Sequence, residues 1–237
     1  MTSPLRIFVG YDSMEHDAYQ VCVRSLTEKS SVPLYIQPLD ETRLRHAGVY
    51  KRNWQYIDGR KVDNLDEKPF STAFSFTRFL VPSLCQWSGL ALYCDCDFLW
   101  RADVRFLFNH FNNGCAINVV KHNHNPIEKV KMNGEEQTIY YRKNWSSLIL
   151  YNCSHSSNYM LTPRVVSRAT GQWLHSFSWL HDHEIGDIGE EWNYLSGVDT
   201  DIKDPFAVHF TNGTPSMIGH ESDPYADEWR EVLTRTL

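Results

Sequence analysis

Apolar positions along the 237-residue chain gather into short unbroken runs, separated by amphipathic and polar stretches. Residues 5–10, apart from Arg6, and 90–94 (Leu90-Ala91-Leu92-Tyr93-Cys94) are apolar runs, as expected for strands covered on both faces rather than wetted on one. Further strands are predicted at 32–37, 115–120, 138–141, 148–151 and 207–210. After the first strand, Ala18, Val21, Cys22, Ser25 and Leu26 recur at helical spacing. They define one face of a helix that Asp12 or Ser13 would cap and that runs to about residue 30. Residues 72–84 predict a second helix through Phe74, Thr77, Arg78 and Val81, with Pro82 near its end. Others follow Pro163 and start at Tyr225. Residues 40–68 carry little periodicity and read as irregular with one helical turn. Strands alternating with helices, the strands continuously apolar, predict an α/β fold: one Rossmann-like domain with a central, mostly parallel sheet flanked by helices.

Composition narrows the function. With 23 Lys+Arg against 29 Asp+Glu the net charge is −6, the wrong sign for a protein whose main partner is a nucleic acid. No window of 18 apolar residues occurs, and Met1-Thr2-Ser3-Pro4-Leu5-Arg6 leads directly into the first strand. The expected setting is therefore cytoplasmic, free or peripheral to a membrane. The six cysteines form no Cys-x-x-Cys pair and mostly sit in apolar runs, as buried reduced thiols do. No Gly-x-Ser-x-Gly, Walker A or dinucleotide glycine pattern is present, which removes the common hydrolase, NTPase and dehydrogenase readings. Trp173, Trp179 and Trp192 read as core before they read as ligand platforms.

The sharpest chemical signal follows the 90–94 run: Asp95-Cys96-Asp97. Isolated Asp-x-Asp pairs are commonly solvated loop residues. Here the two carboxylates emerge from a strand buried on both faces, where like charges are costly unless a hard cation offsets them. In open α/β sheets ligands collect at this carboxyl end of the strands. His122 and His124, like His181 and His183, have i, i+2 spacing, but no third ligand at suitable spacing completes a zinc site. The lysine- and histidine-bearing run 121–131 reads as a solvated loop, or as a contact for an anionic acceptor.

Four segments then occur in one order: Ile7-Phe8-Val9-Gly10-Tyr11-Asp12, Phe70 to Phe79, Tyr93-Cys94-Asp95-Cys96-Asp97, and Val208-His209-Phe210-Thr211-Asn212-Gly213-Thr214-Pro215. In that order they resemble glycosyltransferases of the GT-A fold, in particular the retaining family 8, which includes bacterial lipopolysaccharide α-galactosyltransferases and glycogenin. The resemblance implies a metal-dependent transfer of a hexose from a nucleotide-diphosphate sugar, a UDP-hexose, to a glycan, lipid-linked or other hydroxyl acceptor. It implies a nucleotide-binding half over about residues 1–100 and an acceptor and sugar half over about 101–237 of a single 1–237 domain. Val9, Gly10, Tyr11 and Asp12 would lie against the base and ribose, and Arg78 would reach the donor. Asp95, Asp97 and His209 would hold Mn²⁺ or Mg²⁺, the imidazole favouring Mn²⁺. Cys96 and Gly213 would border the nucleotide, while Ser146, Ser147, Asp182 and His183 would line the sugar. Asp182 and Arg78 are the catalytic candidates.

The chain departs from the family at several points. The lysine that neutralises the leaving diphosphate has no counterpart after Gly213; the nearby His220 or loop amide groups could take its place. His183 and Glu184 replace the last two residues of an Asp-Gln-Asp segment, with Trp192-Asn193 following, and Trp145-Ser146-Ser147 lacks the family's asparagine. Two other readings stay open. One is an inverting enzyme of the same fold, with Asp187, Glu190 or Glu191 as general base. The other is a nucleotide-sugar-binding or nucleotidyltransferase-like protein. Against the latter, the segment after the first strand is acidic, Asp12-Ser13-Met14-Glu15, where a glycine-rich basic one would be expected.

Overall fold

A computed structural model describes residues 3–122, 142 and 144–236. Its strands are β1 (Leu5–Tyr11), β2 (Leu34–Asp40), β3 (Trp54–Ile57), β4 (Arg60–Asp63), β5 (Leu90–Cys94), β6 (Phe98–Trp100), β7 (Ile117–Val119), β8 (Leu148–Asn152), β9 (Ile185–Asp187), β10 (Tyr194–Leu195) and β11 (Ala207–His209). A six-stranded sheet runs β2-β1-β5-β8-β7-β9. Within it β8 is antiparallel to both neighbours and every other strand points the same way, so the sheet is mostly parallel. Its central strands are buried on both faces, as their continuous apolar runs predict: Ala91 to Cys94 and Leu148 to Tyr151 are fully shielded. A small sheet, β10-β11-β6, lies beside it, and β3 and β4 form a separate hairpin.

Helix α1 (His16–Lys29) buries Ala18, Val21, Cys22, Ser25 and Leu26, the face expected from their spacing. Asp12 caps the short turn that leads into it, accepting the Met14 N–H at 3.0 Å. The opposite end of the chain closes on α1 through the helix Ala226–Thr234.

Several expected elements are corrected. The second strand starts at Leu34 rather than residue 32 and runs on to Asp40, because it pairs in register with β1 from Leu5↔Leu34 to Tyr11↔Asp40. Its Pro38 is tolerated because β2 is an edge strand. The helix over 72–84 is not continuous: a 3₁₀ turn (Thr77–Leu80) precedes one helical turn (Val81–Leu84). Ser75 accounts for the shortfall, since its hydroxyl accepts the Thr72 N–H at 3.1 Å and competes with helical bonding, while Ala73 N–H is drawn to Asp12 at 3.0 Å. The polar stretch 40–68 holds a helix, Glu41–His46, and also the β3–β4 hairpin. That hairpin turns on Asp58-Gly59, both at positive φ (49° and 77°), the arrangement a two-residue Asp-Gly turn favours. The strand expected at 138–141, His124 and all of the 121–131 run beyond His122 lie outside the described residues. All six cysteines are buried and unpaired. Among the described residues no helix is long and apolar enough to cross a membrane.

Candidate functional site

Sheet register assembles the site. β5 ends at Cys94, opposite Val9 of parallel β1 and Leu148 of antiparallel β8. The next residue, Asp95, is held by its N–H donating to Ser147 O at 2.9 Å. The chain turns through Cys96 and Asp97 into β6, which pairs with β11 so that Phe98 lies opposite His209. Phe210 N–H donates to Asp97 O at 3.0 Å, locking that register next to the carboxylate. His209, remote from Asp97 in sequence, is thereby delivered to it: Nε2 lies 3.3 Å from Asp97 Oδ1. One potential ligand atom from each of Asp95, Asp97 and His209 lies within 4.8 Å of the others, the one such cluster of three among the described residues.

The His209 ring is buried and stacks on Phe98 at 4.5 Å between centroids. Its Nδ1 lies 2.9 Å from Asn193 Oδ1, and Asn193 Nδ2 donates to Ser147 Oγ at 3.0 Å, whose own proton goes to Asn144 O at 2.9 Å. This chain orients the Asn193 amide with its oxygen toward the ring. By that network Nδ1 is the protonated nitrogen and the Nε2 lone pair faces the carboxylates. Two lone pairs confronting each other at 3.3 Å require a proton or a cation between them. Asp97 Oδ1 is buried, and the group it faces is the His209 ring. Two carboxylates and an imidazole presented through Nε2, converging at one strand end, fit a divalent cation.

The three groups are electrostatically coupled, and without a cation a proton shared by His209 and Asp97 offsets the charge. Burial pushes the Asp95 carboxyl up to about 6 against the pull of Arg78, and the Asp97 charge adds to the rise. Burial would also raise Asp97, but the His209 ring outweighs it and holds that carboxyl below its ordinary value. For His209, burial alone would lower the pKa; the Asp97 and Asp95 carboxylates reverse this and raise it. Arg78 Nη1 lies 3.0 Å from Asp95 Oδ1 and donates to Ser146 O at 2.8 Å, and Tyr93 Oη also donates to Asp95. Arg78 is thus engaged with the carboxylate itself, carried on the 3₁₀ turn.

Two partners escaped the sequence reading. Glu15 accepts the Cys96 Sγ–H at 3.0 Å and is pushed up to about 7, mainly by burial, with Asp97, Asp12 and Asp95 adding repulsion. Asn193 was legible only as a neighbour of Trp192. No spacing rule ties either residue to the Asp-x-Asp turn, because tertiary register alone makes the contact.

The remaining expected residues divide. Gly10 lies against Phe74 and Tyr93, so closely that a Cβ there would meet Phe74 at 2.6 Å. Val9 is fully buried and can offer a ligand only backbone. The Tyr11 ring packs edge-on against Tyr19 at 5.1 Å. Both Asp12 oxygens already accept backbone N–H groups, from Met14 and Ala73. Ser146 Oγ lies 2.8 Å from His175 Nδ1, a ring that burial and the Arg78 and Arg52 charges push down to about 3 and keep neutral. Asp182 is exposed and ion-paired with Arg142, which lies 5.8 Å from the Trp145 ring. Through Arg142 it approaches the Trp145–Ser147 turn beside the cluster. His183 stacks on His181 at 5.6 Å, and no third ligand joins them among the described residues. Glu184 is used up in capping, accepting His181 N–H at 2.7 Å and the Ser157 hydroxyl. Gly213, at φ +149°, packs against the His220 ring, itself paired with Asp223 at 2.8 Å. Asp187 accepts the Gly189 N–H at 3.0 Å within its own turn.

Comparison with solved structures shows the fold. The chain superposes on the galactosyltransferase LgtC, solved in complex with donor and acceptor sugar analogs, with a TM-score of 0.60 and 13% identity over 98% of this chain and 96% of that one. It also superposes on the apo form of the glycosyltransferase GlyE of Streptococcus pneumoniae TIGR4, with a TM-score of 0.62 and 14% identity, covering 98% of this chain but only 60% of that protein. The architecture is the GT-A fold of glycosyltransferases, as the order of motifs predicts. No family model matches the sequence. The chain is 44% identical over 231 residues to Protein CDI of Arabidopsis thaliana, covering 95% of this chain and 85% of that protein, and belongs to its family.

Proposed function

We propose that the chain is a metal-dependent glycosyltransferase that moves a hexose from a UDP-sugar to a hydroxyl acceptor with retention of anomeric configuration. The observation that carries this reading is the convergence of Asp95, Asp97 and His209 at the carboxyl end of β5, with Nε2 of the histidine facing the carboxylates. Asp95, Asp97 and His209 would hold Mn²⁺, or Mg²⁺ in its place. When bound, the cation would supply positive charge to offset what develops on the departing diphosphate. Arg78 fixes the Asp95 carboxylate and brings a guanidinium to the donor side. Gly10 lets the β1 end lie close to Tyr93, leaving Tyr11 at the rim as the ring for the base. Asp182 and His183, with the Ser146-Ser147 turn, would orient the sugar so that its anomeric carbon meets the acceptor. In this reading residues to about 100 serve the nucleotide and the rest serve sugar and acceptor. Six buried, unpaired thiols suit a reducing, cytoplasmic setting.

The test is a panel of nucleotide sugars assayed for nucleotide release with Mn²⁺ and with EDTA, the product anomer being read by proton NMR. Release from a UDP-hexose that stops in EDTA, with the donor's anomeric configuration kept, supports the proposal. Inversion would move the search for a base to Asp187, Glu190 and Glu191. Release that persists in EDTA would remove the metal.

A further inference from the structure

We propose that the cleft between residues 48–53 and the helical turn at 163–168 is a second small-molecule site, one that takes a phosphorylated sugar. The cavity measures about 730 Å³, within the range usual for small-ligand pockets. None of its lining residues belongs to the Asp95–Asp97–His209 cluster or to the segments expected to hold the donor.

Its walls are tied together in advance. Lys51 N–H donates to Ser167 Oγ at 3.0 Å, across the cleft. Arg52, fully buried, sends Nε to Asp63 Oδ1 at 2.9 Å and Nη1 to Ala169 O at 2.6 Å, so one side chain clamps both walls. Its own charge is balanced by Asp63, with Asp66 at 3.6 Å.

The cations of the cleft itself are not balanced. Lys51, Arg164 and Arg168 line it, and among the described residues none of the three has a carboxylate within ion-pair distance. All three are solvent-exposed and free to turn toward an anion in the cleft. Arg164 and Arg168 are four residues apart along a helical turn that continues through Ala169 N–H to Val165 O, so they share a face and repel each other. An anion between them would turn that repulsion into attraction. Guanidinium forks match phosphate oxygens, and the Asn53 and Asn64 amides on the opposite wall suit sugar hydroxyls. Val49 and the half-exposed Leu65 supply apolar surface for the C–H face of a sugar ring.

Isothermal titration with glucose 6-phosphate, glucose and inorganic phosphate tests this on the whole chain. The proposal expects glucose 6-phosphate to bind about tenfold more tightly than inorganic phosphate, and glucose alone not to bind. The exposed double variant Arg164→Gln/Arg168→Gln should weaken sugar phosphate binding at least tenfold, while Asp97→Asn leaves it unchanged. Should the double variant not fold, Lys51→Gln carries the same comparison. Absence of binding at millimolar concentration, equal affinity for inorganic phosphate, binding indifferent to the arginines, or binding lost in Asp97→Asn would each overturn it.

Discussion

His209 and Asn193 form a single hydrogen bond, 2.9 Å from Nδ1 to Oδ1, that decides which nitrogen of a buried ring meets the Asp-x-Asp carboxylates. Removing the acceptor frees the ring to turn or change tautomer. Asn193→Ala should therefore weaken Mn²⁺ binding about 10–100-fold, the usual effect of losing a residue that orients a metal ligand. Asn193→Asp retains an acceptor and should recover much of that loss. Equal Mn²⁺ affinity in the alanine variant, measured by titration, would mean that Asn193 serves only the fold.

Asp97 contributes a buried carboxylate oxygen 3.3 Å from His209 Nε2. Asp97→Asn keeps the shape and removes the charge. Turnover with a UDP-hexose should fall at least about 10²-fold, equivalent to about 2.7 kcal/mol at the transition state. Unchanged turnover at saturating donor would count against the carboxylate as a ligand.

Gly10 shows how packing supports the site. A Cβ there would lie 2.6 Å from Phe74 and 2.9 Å from Tyr93 Oη, the hydroxyl that donates to Asp95. Gly10→Ala should destabilise the protein by about 1–3 kcal/mol, the ordinary cost of overpacking, and displace Tyr93 from Asp95. Urea denaturation measures the first effect. An alanine variant as stable as the wild type would show that Phe74 yields without cost.

Glu15 predicts a pH dependence of the metal-free protein. Its folded pKa is raised from 4.5 to about 7, chiefly by burial, so between those values the folded state binds more protons than the unfolded chain. Stability from this group is then present below pH 4.5 and is lost as pH rises toward 7. Glu15→Gln removes that loss. Its melting temperature, compared with wild type, should be higher at pH 8 and nearly equal at pH 4.5. A variant that gains nothing at pH 8 would show that the carboxylate is already well solvated.

How much of this was legible depended on whether the cause was local. The buried face of α1 and the limits of β5 followed from periodicity and from an unbroken apolar run, both properties of neighbouring residues. The hairpin at Asp58-Gly59 carried a readable turn signal that the polar surroundings concealed. The helix over 72–84 failed because Ser75 offers the backbone a nearer partner, which apolar spacing does not register. His209 entered through the resemblance of its segment to the glycosyltransferase family, and what brings it to Asp97 is the β6–β11 register. Glu15 and Asn193 join the site only through tertiary contact, so no pattern along the chain marked them.

The central claim is that Asp95, Asp97 and His209 bind a divalent metal, and His209→Gln tests it most directly. Mn²⁺ titration at fixed pH, in wild type and variant, is paired with thermal unfolding of both without metal. The account predicts much weaker Mn²⁺ binding with nearly unchanged metal-free stability. Mn²⁺ affinity preserved alongside a clear loss of stability would contradict it, and would make His209 a structural histidine of β11.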